Sequence, residues 1–228
     1  MIPLRDTARS RRVPIVNYML IVLCGLVFLY QWSSGGEGES LIARFGVVPA
    51  LTYESVFRGH PSVAGIVPLF TSMFLHGGWL HLFGNMIYLY VFGDNVEDRL
   101  GHLPYLGFYL LAGLLATLAQ VWSSPGATVP MIGASGAIAG VLGAYLFLYP
   151  RAKILTLIPL FFFFPMVEVS AVFFLGFWFL MQFVQASLSG AADASGGGVA
   201  WWAHAAGFVA GAVLLPVFLL PRRFMTSR

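Results

Sequence analysis

The chain has 228 residues, of which 59% are hydrophobic and only 9% charged. Soluble domains are roughly 25% charged, and a chain this apolar cannot cover its own surface in water. These figures exclude a soluble globular enzyme, a disordered chain and a nucleic-acid-binding role. With a mean hydropathy of +0.84 they point instead to a polytopic protein of the lipid bilayer.

The net charge of +3 is small, so its placement carries more information than its size. The single cysteine, Cys24, lies inside an apolar run. It permits no intramolecular disulfide and no cysteine-based metal site, and neither a metal nor a cofactor is expected. The first apolar run ends at Gln31-Trp32 without a small-x-small cleavage signal, so no removable leader is expected.

In chain order, a basic N-terminal tail (1–12) leads into six apolar runs within 13–220, and a basic tail (221–228) follows. Span one is Ile15–Trp32. A long mixed connection, Ser33 to Gly78, carries Leu41, Ile42, Phe45, Val47 and Val48, and is expected to pack on or dip into the membrane surface. Span two is Trp79–Val96 and span three Leu103–Trp122. The uncharged connection Ser123–Ala134 precedes span four, Ser135–Tyr149. Span four covers only about 22 Å of a bilayer core about 30 Å thick, so its start should lie below one membrane surface. Ile154–Phe164, interrupted by Pro159, is read as an interfacial loop. Span five is Val169–Ser187, and the Gly-rich loop Leu188–Gly198 leads into span six, Val199–Leu220.

Six spans put Arg5, Arg9, Arg11, Arg12, Arg99, Arg151, Lys153, Arg222, Arg223 and Arg228 on one side. Only Arg44 and Arg58 fall on the other. This bias predicts cytoplasmic termini. No internal repeat is visible, which weakens a transporter reading.

Polar groups inside spans are costly and call for a functional hypothesis. Span two opens with His76-Gly-Gly-Trp-Leu-His81-Leu-Phe-Gly-Asn85, where His81 and Asn85 share one helix face. Span four opens with Gly133-Ala134-Ser135-Gly136, and span six carries His204, Gly207 and Gly211. Taken singly, the small residues are packing more often than catalysis, and a lone histidine is more often structural. However, spans two, four and six run in the same direction, and each cluster lies near the start of its span. A hydroxyl, two imidazoles and an amide are therefore expected at one depth. That set supplies a nucleophile, a base and oxyanion donors.

In these residues the chain resembles the rhomboid family of intramembrane serine proteases. The stretch Leu69 to His76 and the run Gly93-Asp94-Asn95-Val96-Glu97-Asp98-Arg99-Leu100-Gly101 are similar as well. The resemblance implies an all-α, six-helix membrane bundle with a water-accessible cavity. It implies Ser135 as nucleophile and His204 as general base, with Asn85, His81 and the Ser135 N–H holding the oxyanion. His76, Gly133, Gly136, Gly207 and Gly211 would support the site. Span five, with Phe177, Trp178 and Phe183, would be a gate admitting single-pass transmembrane substrates laterally from the bilayer. Apart from the resemblance, the minimal six-span core with short tails suggests a bacterial plasma membrane, and the charge-derived topology puts the site toward the outer side.

This sequence departs from the family pattern in two places. Its first outer loop lacks a Trp-Arg pair, and Ala139 stands where some members place an aromatic against the histidine. No carboxylate lies near the proposed site, so a Ser-His dyad is expected rather than a triad. The sequence has no His-Glu-x-x-His run and no pair of acids on separate spans, which argues against metallo- and aspartyl proteases. An inactive rhomboid-like binding or quality-control module and a small polytopic transporter are the alternatives. Oligomeric state is not legible.

Overall fold

A computed structural model describes residues 1–159, 162–189 and 199–219. The basic C-terminal tail and most of the Gly-rich loop before span six lie outside the described residues. The elements are β1 (Ile2–Asp6), α1 (Ile15–Ser33), α2 (Gly36–Phe45), α3 (Pro49–Val56), α4 (Val63–Ile66), α5 (Pro68–Thr71) and a 3-10 turn (Ser72–Phe74). They continue with α6 (Trp79–Leu100), α7 (His102–Ser123), α8 (Ser135–Leu148), β2 (Lys153–Leu157), β3 (Met166–Ser170), α9 (Ala171–Ser189) and α10 (Trp201–Leu219).

The fold is mostly helical. Helices α1, α7, α9 and α10 are each long and apolar enough to cross a bilayer. A fifth candidate is the bent pair formed by Val63–Phe74 and α6, which meet at 74°. Helix α8, with 14 residues, is only about 21 Å long. Its residues Ala137 to Tyr145 are all buried. A helix apolar on every side belongs at the centre of a bundle, and α8 packs against α6, α7 and α10.

The architecture is not all-α. Ile154–Phe164, expected as an interfacial loop, contributes most of strand β2. That strand pairs antiparallel with both β1 and β3, giving the sheet order β1-β2-β3. Along β2, Ile154 and Thr156 are buried while Lys153 is exposed, the period-two pattern of a strand with one covered face. The tip of the hairpin is closed by Ile158 N–H donating to the Pro165 carbonyl at 3.0 Å. Strand β1 irregularly shifts register between Pro3 and Arg5, where proline has no N–H to give. The first residues of the chain are therefore part of a sheet and not a free tail.

Glu97, near the end of α6, ties the opening of α1 to the bundle. Pro14 precedes α1 and no side chain of that helix caps it. The buried Glu97 carboxylate instead accepts from Val16 N–H at 3.0 Å and Asn17 N–H at 2.7 Å, and also meets His102 Nδ1. A carboxylate at a helix N-terminus satisfies orphan donors and complements the dipole. Beside it, Asn17 donates to the Leu89 carbonyl and accepts from Tyr105 O–H. Gly101, at φ 89°, then lets α6 turn directly into α7. Asp6 reaches in from β1 to accept from Asn95 Nδ2 and from Tyr145 O–H. Burial pushes the Asp6 carboxyl above its ordinary range, and these hydrogen bonds oppose that shift.

Glu97→Ala leaves two buried N–H groups unpaired, at a cost of about 1–3 kcal/mol each. The unfolding temperature of the purified protein in detergent should fall clearly. Glu97→Gln retains one acceptor oxygen and should lose less. Equal, negligible effects of both substitutions would remove Glu97 from this capping role.

Candidate active site

The starts of α6, α8 and α10 meet on the face of the bundle opposite the sheet. Small residues make that meeting possible. A methyl group on Gly207 would collide with the Gly136 carbonyl oxygen and lie 3.2 Å from the Ala116 and Ala139 methyls. A methyl on Gly211 would strike the backbone of Gly140, and one on Gly143 the backbone of Phe208. Helices α8 and α10 are thus in backbone contact, the arrangement that small-xxx-small spacing favours.

That contact brings together two residues far apart in the chain. His204 Nε2 lies 2.8 Å from Ser135 Oγ. On the other side of the ring, His204 Nδ1 lies 2.7 Å from Gln182 Oε1 on α9. With the amide oxygen facing it, Nδ1 carries the proton and donates. Nε2 is then left bare to accept from the Ser135 hydroxyl. The ring is flanked by Trp178 at 6.0 Å and by Trp201 at 6.1 Å, the latter edge-on. Ala139 is instead buried against Gly207 in the α8–α10 contact, so support for the histidine comes from α9 and the start of α10.

His81 and Asn85 line the same cavity. Gly77 N–H donates to His81 Nδ1 at 3.3 Å, so the His81 proton resides on Nε2. The Asn85 Nδ2 group is buried and has no hydrogen-bond partner. Both groups converge on Gly133. A methyl placed there would lie 2.7 Å from His81 Nε2 and 3.7 Å from Asn85 Nδ2. Gly133 itself stands at φ 122°, a conformation that disfavours any side chain. Its bare α-carbon leaves a space between two donors beside Ser135, at the N-terminus of α8.

The cavity measures about 900 Å³ and is lined by His81, Asn85, Gln120, Ser135, Trp201 and His204 among others. Gln120, on α7, accepts from Ala203 N–H at 3.2 Å and so holds the first turn of α10. The long connection after α1 folds over this region. Val47 and Met131 exchange backbone hydrogen bonds at 2.9 and 2.7 Å, and Ser72 carbonyl accepts from Gly133 N–H at 2.9 Å. His76 is clamped through its backbone by the Gln31 amide and rests its ring 5.2 Å from that of His81.

The residues named as a gate divide. Phe177 and Phe183 are exposed on the outer side of α9, whereas Trp178 turns inward onto His204 and Phe208. Of the four long apolar helices, α9 is the least buried. Sequence reasoning missed Gln182, Gln120 and Trp201. A signal for Gln182 existed, since it is a polar residue inside an apolar run, four positions after Trp178.

The model of the rhomboid domain matches residues 64–221, more than half of the chain. The chain therefore belongs to the rhomboid family, and it is a multi-pass integral membrane protein. Among similar proteins, rhomboid protease GluP of Bacillus subtilis (strain 168) is 41% identical over 135 residues, 59% of this chain and 24% of that protein. Rhomboid protein 1, mitochondrial, of Saccharomyces cerevisiae is 34% identical over 97 residues, 41% of this chain and 28% of that protein. Presenilin-associated rhomboid-like protein A, mitochondrial, of Danio rerio is 32% identical over 144 residues, 56% of this chain and 38% of that protein. In each case the match spans well under half the length of the relative.

The α8–α10 contact leaves no room for a branched side chain. Gly207→Val should cost about 1–3 kcal/mol of stability through overpacking. The check is thermal unfolding in detergent, where Gly176→Ala on α9, whose Cβ would meet open space, serves as the neutral comparison.

Proposed function

We propose that this protein is an intramembrane serine endopeptidase that cleaves transmembrane segments near their outer end. The observation that carries this reading is the 2.8 Å contact between His204 Nε2 and Ser135 Oγ inside a cavity that also holds the unpaired Asn85 Nδ2 donor. In this proposal the bundle has six spans, both termini are cytoplasmic, and the cavity opens to the outer side. The alternative of an inactive family member is disfavoured because the serine and the histidine are both present and in contact.

Ser135 gives its proton to His204 Nε2 as Oγ attacks the scissile carbonyl carbon. The oxygen of that carbonyl becomes an oxyanion in the space above Gly133, within reach of His81 Nε2–H and Asn85 Nδ2–H. N–H groups of the first turn of α8 and the helix dipole add to this field. When the C–N bond breaks, His204 returns the proton to the departing amine. A water from the cavity then repeats the attack on the acyl-enzyme, with His204 again as base. Gln182 acts as a positioning residue, since its amide oxygen fixes the productive tautomer and ring plane of His204. Being neutral, it offers no charge to the imidazolium, so the chemistry is that of a dyad held by an amide.

Substrates in this reading are single-pass membrane proteins that arrive laterally past α9. The target helix must unwind, because an intact helix shields its carbonyls. Small or helix-breaking residues are therefore expected at the cut.

The deciding experiment incubates detergent-purified protein with a transmembrane model substrate. Ser135→Ala and His204→Ala should each abolish cleavage and fluorophosphonate labelling, and the double variant should be no worse than either. Retained cleavage by Ser135→Ala would sink the serine mechanism. Asn85→Ala should slow turnover by roughly 10- to 1000-fold, the loss of one oxyanion donor. Gln182→Ala should lower kcat by about 10- to 100-fold with little change in KM, as misorientation predicts. Gln182→Glu, which keeps the acceptor, should retain more activity than Gln182→Ala. If both Gln182 variants matched the wild type, the residue would revert to packing.

A further inference from the structure

A second cavity lies on the opposite face of the bundle, beside the sheet. It measures about 460 Å³ and is lined by Arg9, Arg11, Arg12, Asp98, Arg99 and Tyr149. Four arginines from two distant stretches of sequence line one space together with Asp98, and of these Arg99 and Asp98 have interactions of their own. Arg9, Arg11 and Arg12 are exposed, so solvent screens their mutual repulsion, and the concentrated positive charge attracts an anion into the space between them. Among the described residues, Arg9, Arg11 and Arg12 form no salt bridge to any carboxylate.

The segment that carries these three arginines is anchored at both ends. On one side, Thr7 N–H donates to the Lys153 carbonyl at 3.0 Å and Thr7 Oγ1 accepts from Lys153 N–H at 2.9 Å. On the other, Glu97 caps the first turn of α1. Between them, Ser10 O–H donates to the Arg12 carbonyl at 3.0 Å. The arginines are thus presented by a short bridge between a strand and a helix. The opposite wall is supplied by the ends of α6 and α8, through Arg99 and Tyr149.

We propose that this cavity is a binding site for a phosphate group. Planar, forked guanidinium donors match phosphate oxygens in pairs, which is why arginine suits such recognition. The volume falls within the ~300–1,000 Å³ range of small-molecule sites and exceeds what a lone phosphate fills. The cavity sits where α6 and α8 end and α1 begins. The phosphodiester of an anionic phospholipid and a soluble phosphate share the required chemistry. Occupancy would brace β1 against the ends of α6 and α8. The site is separate from the proposed catalytic cavity, and its test does not depend on proteolysis.

The full-length protein is examined in two arms. In the first, native mass spectrometry compares retention of phosphatidylglycerol and phosphatidylcholine. In the second, inorganic phosphate is titrated against the unfolding temperature in detergent. Three variants are used: Arg11→Gln with Arg12→Gln; Arg9→Gln alone; and a control, Arg5→Gln with Arg151→Gln, which removes two charges outside the cavity. Selective retention of phosphatidylglycerol by the wild type and the control, weakened about ten-fold in Arg11→Gln/Arg12→Gln, supports a lipid headgroup, as expected for loss of charge-assisted hydrogen bonds. A phosphate-dependent rise in unfolding temperature, lost in the same variant, supports a soluble ligand. Should the double variant fail to fold, Arg9→Gln and the wild-type titration give the same readouts. Absence of both responses in the wild type, or equal weakening in the control, overturns the site.

Discussion

Everything at the proposed site rests on the distance between two helix backbones. Glycines on α8 and α10 bring these helices so close that a methyl group at Gly207 or Gly211 meets carbonyl oxygen or backbone. Lipid offers no hydrophobic push between helices, so close packing must supply the attraction. The reward is positional. Ser135 is fixed by the start of one helix and His204 by the first turn of the other, so their separation follows from backbone geometry. Loosely packed helices joined by long side chains would leave that separation to chance.

The two faces of the bundle solve the problem of buried polarity differently. On the sheet side, several buried polar groups are paired: Glu97 serves the first N–H groups of α1, Asn17 bridges α6 and α7, and Asp6 gathers Asn95 and Tyr145, while Asn95 Oδ1 is left without a partner. On the cavity side, donors are left without partners, Asn85 Nδ2 among them. An unpaired buried donor is a standing cost unless something arrives to meet it.

Much of this was legible beforehand. The apolar runs correspond to α1, α6, α7, α8, α9 and α10, and span four starts at the same residue, Ser135, as α8. Helix existence is legible because bilayer length and apolarity are properties of a local window. The sheet was hidden because β2 lies inside an apolar stretch and β1 is a strand only through pairing with residues about 150 positions away. Composition marked Ser135, His204, His81 and Asn85 because they are polar groups near the starts of parallel spans. Gln182 escaped for the complementary reason. Span five runs in the opposite direction, so a residue at the same depth falls late in its helix, where no search along span starts would meet it.

One consequence follows from where Gln182 and Trp178 reside. The amide partner of the His204 ring and one of its two flanking indoles come from α9, the helix proposed to yield when a substrate passes. If α9 swings away, the imidazole loses its amide partner and the Trp178 indole together and keeps only Trp201 beside it. The open form would therefore be chemically slack, and competence would return only once α9 settles back around its guest. Under the proposed activity and that coupling, a bilayer protein that merely brushes the opening would be spared, and one that lingers would be cut. Selectivity then becomes a matter of dwell time as much as of sequence.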